Sequence, residues 1–188
     1  MQEIQPDKAP RRVPWRRWSR RRGAEAIEFT LVLFPLLGFT TVLTDTAWAI
    51  FAEGTLQRAV RMGVRVGVTL TSAQMAQGAC LTDTVKGIVQ QNAANMLSGS
   101  SGLALIKVNY FLPPSANSTA ALTDVSTLAN GDNPGNIMQV SVQGFSLAPL
   151  VARIFMGSTP DKNPLVISVN SADIIEPSNQ PPCIGTAP

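Results

Sequence analysis

From Phe29 to Thr44 the chain runs sixteen residues without a charge, Asp45 interrupts it, and Thr46–Ala52 resumes it. As one helix, 29–52 would be about 36 Å long at 1.5 Å per residue, enough to cross a hydrocarbon core of roughly 30 Å with some tilt. Pro35 lies inside this stretch and is expected to kink it. The pattern then changes. Over 53–70, Leu56, Val60, Gly63, Gly67 and Leu70 gather within about 80° of one helical face, while Arg58, Arg61 and Arg65 gather on the opposite side. One face is built to pack and the other to meet water. The Gly63-x3-Gly67 pair permits close approach of another element, expected to be the sheet. A second helix is expected over Thr82–Leu97, opened by Asp83 and closed by the cluster from Ser98 to Gly102. Strands follow at Leu103–Leu112, Met138–Leu147 and Leu165–Ile174, rich in Val, Ile and aromatics and partly alternating. Pro113-Pro114, Asn133-Pro134-Gly135 and Asp161-Lys162-Asn163-Pro164 separate them. The fold class is therefore α+β: a long N-terminal transmembrane helix, then a small domain with helices packed on a mainly antiparallel sheet.

Charge divides the chain sharply. The net charge of +3 conceals a first segment, Met1–Arg22, with eight of the fifteen bases and two of the twelve acids, leaving seven bases and ten acids beyond it. The basicity belongs to a short arm, not to the folded part, so nucleic acid is not expected as a partner. Stacking of Trp15 and Trp18 on bases is chemically conceivable, but a topological role for the arginines explains the same residues. Arginines directly before a span hold the arm in the cytoplasm and send the rest outward, with Trp15, Trp18 and Trp48 placed for the interfacial belts. The first dozen residues, with Pro6 and Pro10, are expected to be disordered.

Two readings of the apolar segment are open. It is either a retained anchor or a secretory signal cut after Ala49, where Ala47-Trp48-Ala49 offers an A-x-A site. The apolar run exceeds an ordinary signal core, Asp45 sits just before the cut, and the helical pattern continues past it, all of which favour the anchor.

The junction reads Arg22-Gly23-Ala24-Glu25-Ala26-Ile27-Glu28-Phe29, a basic arm ending in glycine, a glutamate five residues on, then an aromatic and the apolar helix. This resembles the processing site of type IV pilin-like proteins, and its Gly-x4-Glu-Phe spacing resembles that of the Tad/Flp pilus system. From Arg20 to Leu70 the chain is similar to TadE-like pseudopilins; Phe29 stands where the pilus subunits commonly carry Tyr. The resemblance implies cleavage by a prepilin peptidase between Gly23 and Ala24 on the cytoplasmic face, and an assembly role for Glu28, whose carboxylate would meet the new amine of a neighbouring subunit. A charge near the membrane edge is costly, about 2.5–3.5 kcal/mol at a helix centre on insertion scales, so pairing has a physical rationale. The alternative is that Glu28 and Glu25 reach to the interface. Asp45 either pairs with an assembly partner or marks where the helix leaves the lipid, the second being favoured.

Cys80 and Cys183 would lie in an oxidising compartment, which favours a disulfide tying the tail to the start of the second helix and closing a loop of about 104 residues. Two free thiols are the alternative. With no histidine and scattered acids, no catalytic, cofactor or metal constellation is found, and neither an enzyme nor a small-molecule binder is expected. Asn117-Ser118-Thr119 fits a glycosylation sequon that arises often by chance. The arginine face, if functional, would meet an acidic patch on another pilus protein. The expected organisation is a cytoplasmic leader over 1–23, a membrane helix over 24–52 and an extracytoplasmic domain over 53–188. The resemblance implies a single-pass inner-membrane protein that helps assemble or initiate a Tad/Flp pilus, with the prepilin peptidase and other pilus assembly proteins as partners. A secreted binding or adhesion domain and a plain signal-anchored protein are the rivals.

Overall fold

The computed structural model describes residues 19–71, 73–74, 79–114, 121–149, 164–177 and 183–185, with the backbone alone at 19–22. The leader before Ser19, the Asn117 sequon and the break at Asp161–Asn163 lie outside the described residues. The chain divides into two units, Met1–Thr40 and Thr41–Pro188.

The first helix, α1, covers Ser19–Gly67 and runs through Pro35. In the first unit its large apolar side chains are exposed on every side, Leu31 at 71% and Phe39 at 62% among them. A helix apolar all round needs an apolar surrounding, and α1 is long and apolar enough to cross a membrane.

In the second unit, α1 contributes Ala52, Leu56, Ala59, Val60 and Val64 to one hydrophobic core, all buried. The second helix, α2 (Leu81–Asn92), adds Leu81, Val85 and Val89. A one-and-a-half-turn helix, α3 (Gly99–Ala104), leads into a four-stranded antiparallel sheet: β1 Ile106–Leu112, β2 Thr123–Asp124, β3 Ile137–Leu147 and β4 Leu165–Ile174, ordered β2-β1-β3-β4. Alternation turns Ile106, Val108 and Tyr110 of β1, Met138, Val140 and Val142 of β3, and Ile167 and Val169 of β4 to the core. The α+β class is as expected, and Leu165–Ile174 is a strand over its expected bounds.

Register along β3–β4 skips between Val142 and Phe145, where three steps on β3 oppose two on β4 from Val169 to Ile167. The extra residue is a bulge, and Gly144 at φ +76° supplies the left-handed backbone it needs. The shift keeps Phe145 and Leu147 against the core, where uninterrupted alternation would have turned them outward.

The end of α2 and the start of β1 differ from expectation by several residues, and one strand was not expected. Helix α2 stops at Asn92 instead of Leu97, because Ala94 and Asn95 take φ of 48° and 65° and end the right-handed run. The Gln90 side chain then donates to the carbonyls of Leu97 (2.6 Å) and Gly99 (3.0 Å), which fixes the turn. The Ser98–Gly102 cluster is not a break but the start of α3, so β1 opens at Ile106 and not at Leu103. The two-residue β2 had no periodic signal to announce it.

Candidate functional site

At the start of the apolar helix, Gly23, Ala24, Glu25 and Glu28 are all exposed. A methyl group on Gly23 would have nothing within 4 Å, so the Gly23–Ala24 bond stands clear of the described side chains. Ala24 and Glu28 are four residues apart in one helix, on the same face one turn from each other.

Further along, one stripe of α1 comprises Thr41, Asp45, Ala49, Ala52, Leu56, Val60, Gly63 and Gly67, half-buried at first and fully buried from Ala52. Asp45 is on this stripe. With Thr46, Trp48 and Ala49 it lines a mostly apolar, partly open cavity of about 460 Å³, whose other side is formed by Leu147 at the end of β3, Ala148 and Pro149 just past it, and Pro164 and Leu165 at the start of β4. Its carboxylate is thus on the side of the helix that the strands cover. Sequence reasoning missed this cavity, because nothing in the spacing of Pro149 and Pro164 ties them to residue 45. Trp48 stacks with Phe51, ring centroids 5.6 Å apart.

The two helical glycines meet different neighbours. A Cβ on Gly63 would lie 2.4 Å from Val89 Cγ2, and one on Gly67 would lie 2.5 Å from Met138 Cε and 2.7 Å from Val85 Cγ2. Gly63 therefore admits α2, while only Gly67 also touches the sheet. The expected helix-on-sheet contact is partly a helix-on-helix one.

At the end where α1 terminates, Cys80 and Cys183 are joined by a disulfide, their Cα atoms 4.8 Å apart. Backbone N–H groups of Leu81 and Thr82 donate to the carbonyls of Cys183 and Ile184 at 2.9 and 2.8 Å, so the tail serves as a cap for α2. Below it, Thr82 Oγ1 and Tyr110 Oη share a buried 3.1 Å hydrogen bond. Burial pushes the Tyr110 hydroxyl up to about 12, against the smaller opposing effect of Thr82, with Asp132 and Asp83 adding to the rise. Asp124 is held below the ordinary carboxylate range by Ser126, which donates from its hydroxyl (2.5 Å) and its backbone N–H (2.9 Å). Partial burial raises Asp132. Neither Tyr110 nor Ser126 stood out in the sequence, since each looks like an ordinary strand or turn residue.

Arg58, Arg61 and Arg65 are exposed on the face of α1 opposite the core, and none of their guanidinium groups has a hydrogen bond or ion pair among the described residues. The division of faces expected for this helix is the observed one.

With this geometry in place, comparison adds one positive finding: residues 23–65 match the family model described as TadE-like protein. The resemblance read from the junction is thereby shown over the stretch that begins at Gly23 and ends at Arg65. No curated protein and no solved structure matches the chain.

Proposed function

We propose that this chain is a single-pass, pseudopilin-like membrane protein that helps assemble or initiate a Tad/Flp-type pilus. The observation that carries the reading is the coincidence of the TadE-like match, 23–65, with a helix whose apolar side chains are exposed all round in its first unit and whose later turns seat a small α+β unit. One helix thus offers an assembly surface and a mount for a domain that selects partners. In this reading 1–23 is a cytoplasmic leader, 24–52 the membrane helix and 53–188 the extracytoplasmic domain in the inner membrane.

A prepilin peptidase cuts between Gly23 and Ala24. Glycine at that bond lowers the cost of unwinding the helix there for access, and the open surroundings of Gly23 offer no steric barrier. Cleavage removes the basic arm and leaves an ammonium on Ala24. Glu28, one turn along, is the carboxylate available to it, either within the helix or from a neighbouring subunit. In low dielectric the intersubunit pair fixes axial register, because a mismatched subunit leaves a charge unpaired. No step of this role requires a cofactor or a small-molecule substrate.

Intact mass and N-terminal sequencing of protein recovered from native membranes test the proposal. A mature chain starting at Ala24 is expected. A start at Ile50 would mean release by signal peptidase and a secreted domain, and an intact Met1 would mean an unprocessed signal anchor; either overturns the processing step. Glu28→Gln should leave cleavage intact and reduce piliation, and full piliation would remove Glu28 from assembly.

A further inference from the structure

Among the described residues of the second unit beyond Glu53, the arginines and most of the acids stand at separate places, with Lys86 one turn from Asp83 as the exception. Arg58, Arg61 and Arg65 fall within about 60° of one face of α1 and span about 10 Å along it, with Met62 exposed on the flank about 40° from Arg58. They are three of the five cations described beyond Glu53, the others being Lys86 and Lys107. Glu53 lies about 140° around the helix from Arg58 and so is off the stripe.

The acids described beyond Glu53 gather at the end where α1 terminates. Asp83 is in the first turn of α2, and Asp124 pairs across from Phe111 at the end of β1. Asp132 is close enough to Tyr110 to affect its titration. Asp173 pairs across from Met138 near the end of β4, and the Glu176 N–H donates to the Val68 carbonyl just past α1. Asp83, Asp124, Asp173 and Glu176 are exposed and Asp132 is half-buried. The rim they form is acidic, and the stripe below it is basic.

A stripe and a rim of opposite sign on one molecule, at different heights, make a heterologous contact that repeats instead of closing. We propose that the arginine stripe of one copy docks on the acidic rim of a second copy of this chain. The level of the rim at Val68 is seven residues above Arg61, so the second copy is displaced by about 10 Å along α1. Met62, on the flank of the stripe, then adds a small apolar contact beside the ion pairs. Anionic lipid headgroups are a poorer occupant. Arg61 and Arg65 stand about 14 and 20 Å beyond Ala52, whereas the headgroup layer on one side is only about 5–8 Å deep. That exclusion, though not the stripe or the rim, rests on the membrane span proposed above.

The test uses the full chain in a neutral detergent, with sedimentation velocity at 50 and 500 mM salt. Self-association is expected at low salt, weakening at least tenfold at high salt because the pairs are solvent-exposed. Arg58→Glu/Arg61→Glu/Arg65→Glu and, separately, Asp173→Lys/Glu176→Lys should each abolish it. Mixed in equal amounts, the two variants should associate again, since each then carries the complement of the other. All five positions are exposed, and circular dichroism of each variant checks that it remains folded. Wild-type protein that stays monomeric at low salt, association indifferent to either reversal, or failure of the mixture to recover would overturn the proposal. So would loss of binding to phosphatidylglycerol vesicles in the arginine variant without any effect of the rim variant on self-association. The N-terminus of the same chain expressed in its native host is sequenced in parallel, so an unprocessed Met1 marks failure of the pilus reading independently of the docking result.

Discussion

Gly54 and Gly63 sit in the same helix, yet replacing each by alanine should move stability in opposite directions. At Gly54 a Cβ meets nothing within 4 Å. Alanine there removes backbone freedom from the unfolded chain and should stabilise by about 0.5–1 kcal/mol. At Gly63 the same gain is opposed by the Val89 methyl, 2.4 Å from the new carbon, closer than any real contact. Val89 is in α2, where a β-branched side chain has one strongly preferred rotamer, so the methyl cannot swing aside. The helices must separate instead, and overpacking of this kind costs about 1–3 kcal/mol. The net for Gly63→Ala is a loss of roughly 0–2 kcal/mol, and the two variants should differ by about 1–3 kcal/mol. For a chain of this size each kcal/mol moves Tm by about 2–4 °C. The assay is thermal unfolding of the full chain in detergent with the disulfide intact, followed by near-ultraviolet circular dichroism to read the packed Tyr110. Gly63→Ala that raises Tm as much as Gly54→Ala would refute the close approach of α1 to α2.

Tyr110→Phe leaves the buried Thr82 hydroxyl without its 3.1 Å partner and should cost about 1–3 kcal/mol; adding Thr82→Val should recover part of that, read by the same unfolding assay. Because the folded Tyr110 titrates near 12 against 10.0 when unfolded, its contribution is complete below pH 10 and is lost as pH rises toward 12. That loss is about 2–3 kcal/mol, and denaturant unfolding across this window should show a fall that Tyr110→Phe lacks. Reduction of Cys80–Cys183 removes a constraint across 103 residues and should cost about 2–5 kcal/mol, measured as a drop in the denaturation midpoint and earlier proteolysis near Thr82. Ser126→Ala should bring Asp124 part of the way back up toward an ordinary carboxylate value in an NMR titration, since it removes the hydroxyl hydrogen bond, the larger of the two that depress it, and keeps the backbone one. The stability this pair adds is lost as pH falls through the depressed Asp124 value, so the variant should show a weaker acid-side dependence.

What the sequence disclosed depended on whether a residue's reason for being there was local. Leu165–Ile174 was legible because proline precedes it and alternation carries it, and the arginine face was legible because 3.6-residue periodicity needs no knowledge of partners. The end of α2 was not. Ala94 at positive φ carries no compositional signal, and the residue that makes the turn work, Gln90, does so through carbonyls seven and nine positions away. Gly102 misled for a related reason. It resembles a breaker, but a Cβ there would fall 2.2 Å from the Leu97 carbonyl, so the glycine records a close approach inside a short helix. At the junction, Gly23 to Glu28 was legible only as spacing, because their significance is chemical and is not a consequence of folding.

Asp45 is where the two kinds of reasoning meet. Read along the chain, a carboxylate seven residues before the end of an apolar run marks an exit from lipid. Read around the helix, it occupies the stripe that continues through Ala49, Ala52 and Leu56 into the core, and it lines the cavity beside Pro149 and Pro164. Helical phase, and not depth alone, thus decides what surrounds it: the same residue one position away would have pointed about 100° around the helix, away from this stripe. This separates the two readings by experiment. If the mostly apolar cavity is what surrounds it, Asp45→Asn should be tolerated and Asp45→Leu should raise the thermal stability of the folded unit while leaving membrane retention unchanged. Weakened retention in Asp45→Asn with undiminished stability would instead place the carboxylate's role at the lipid boundary.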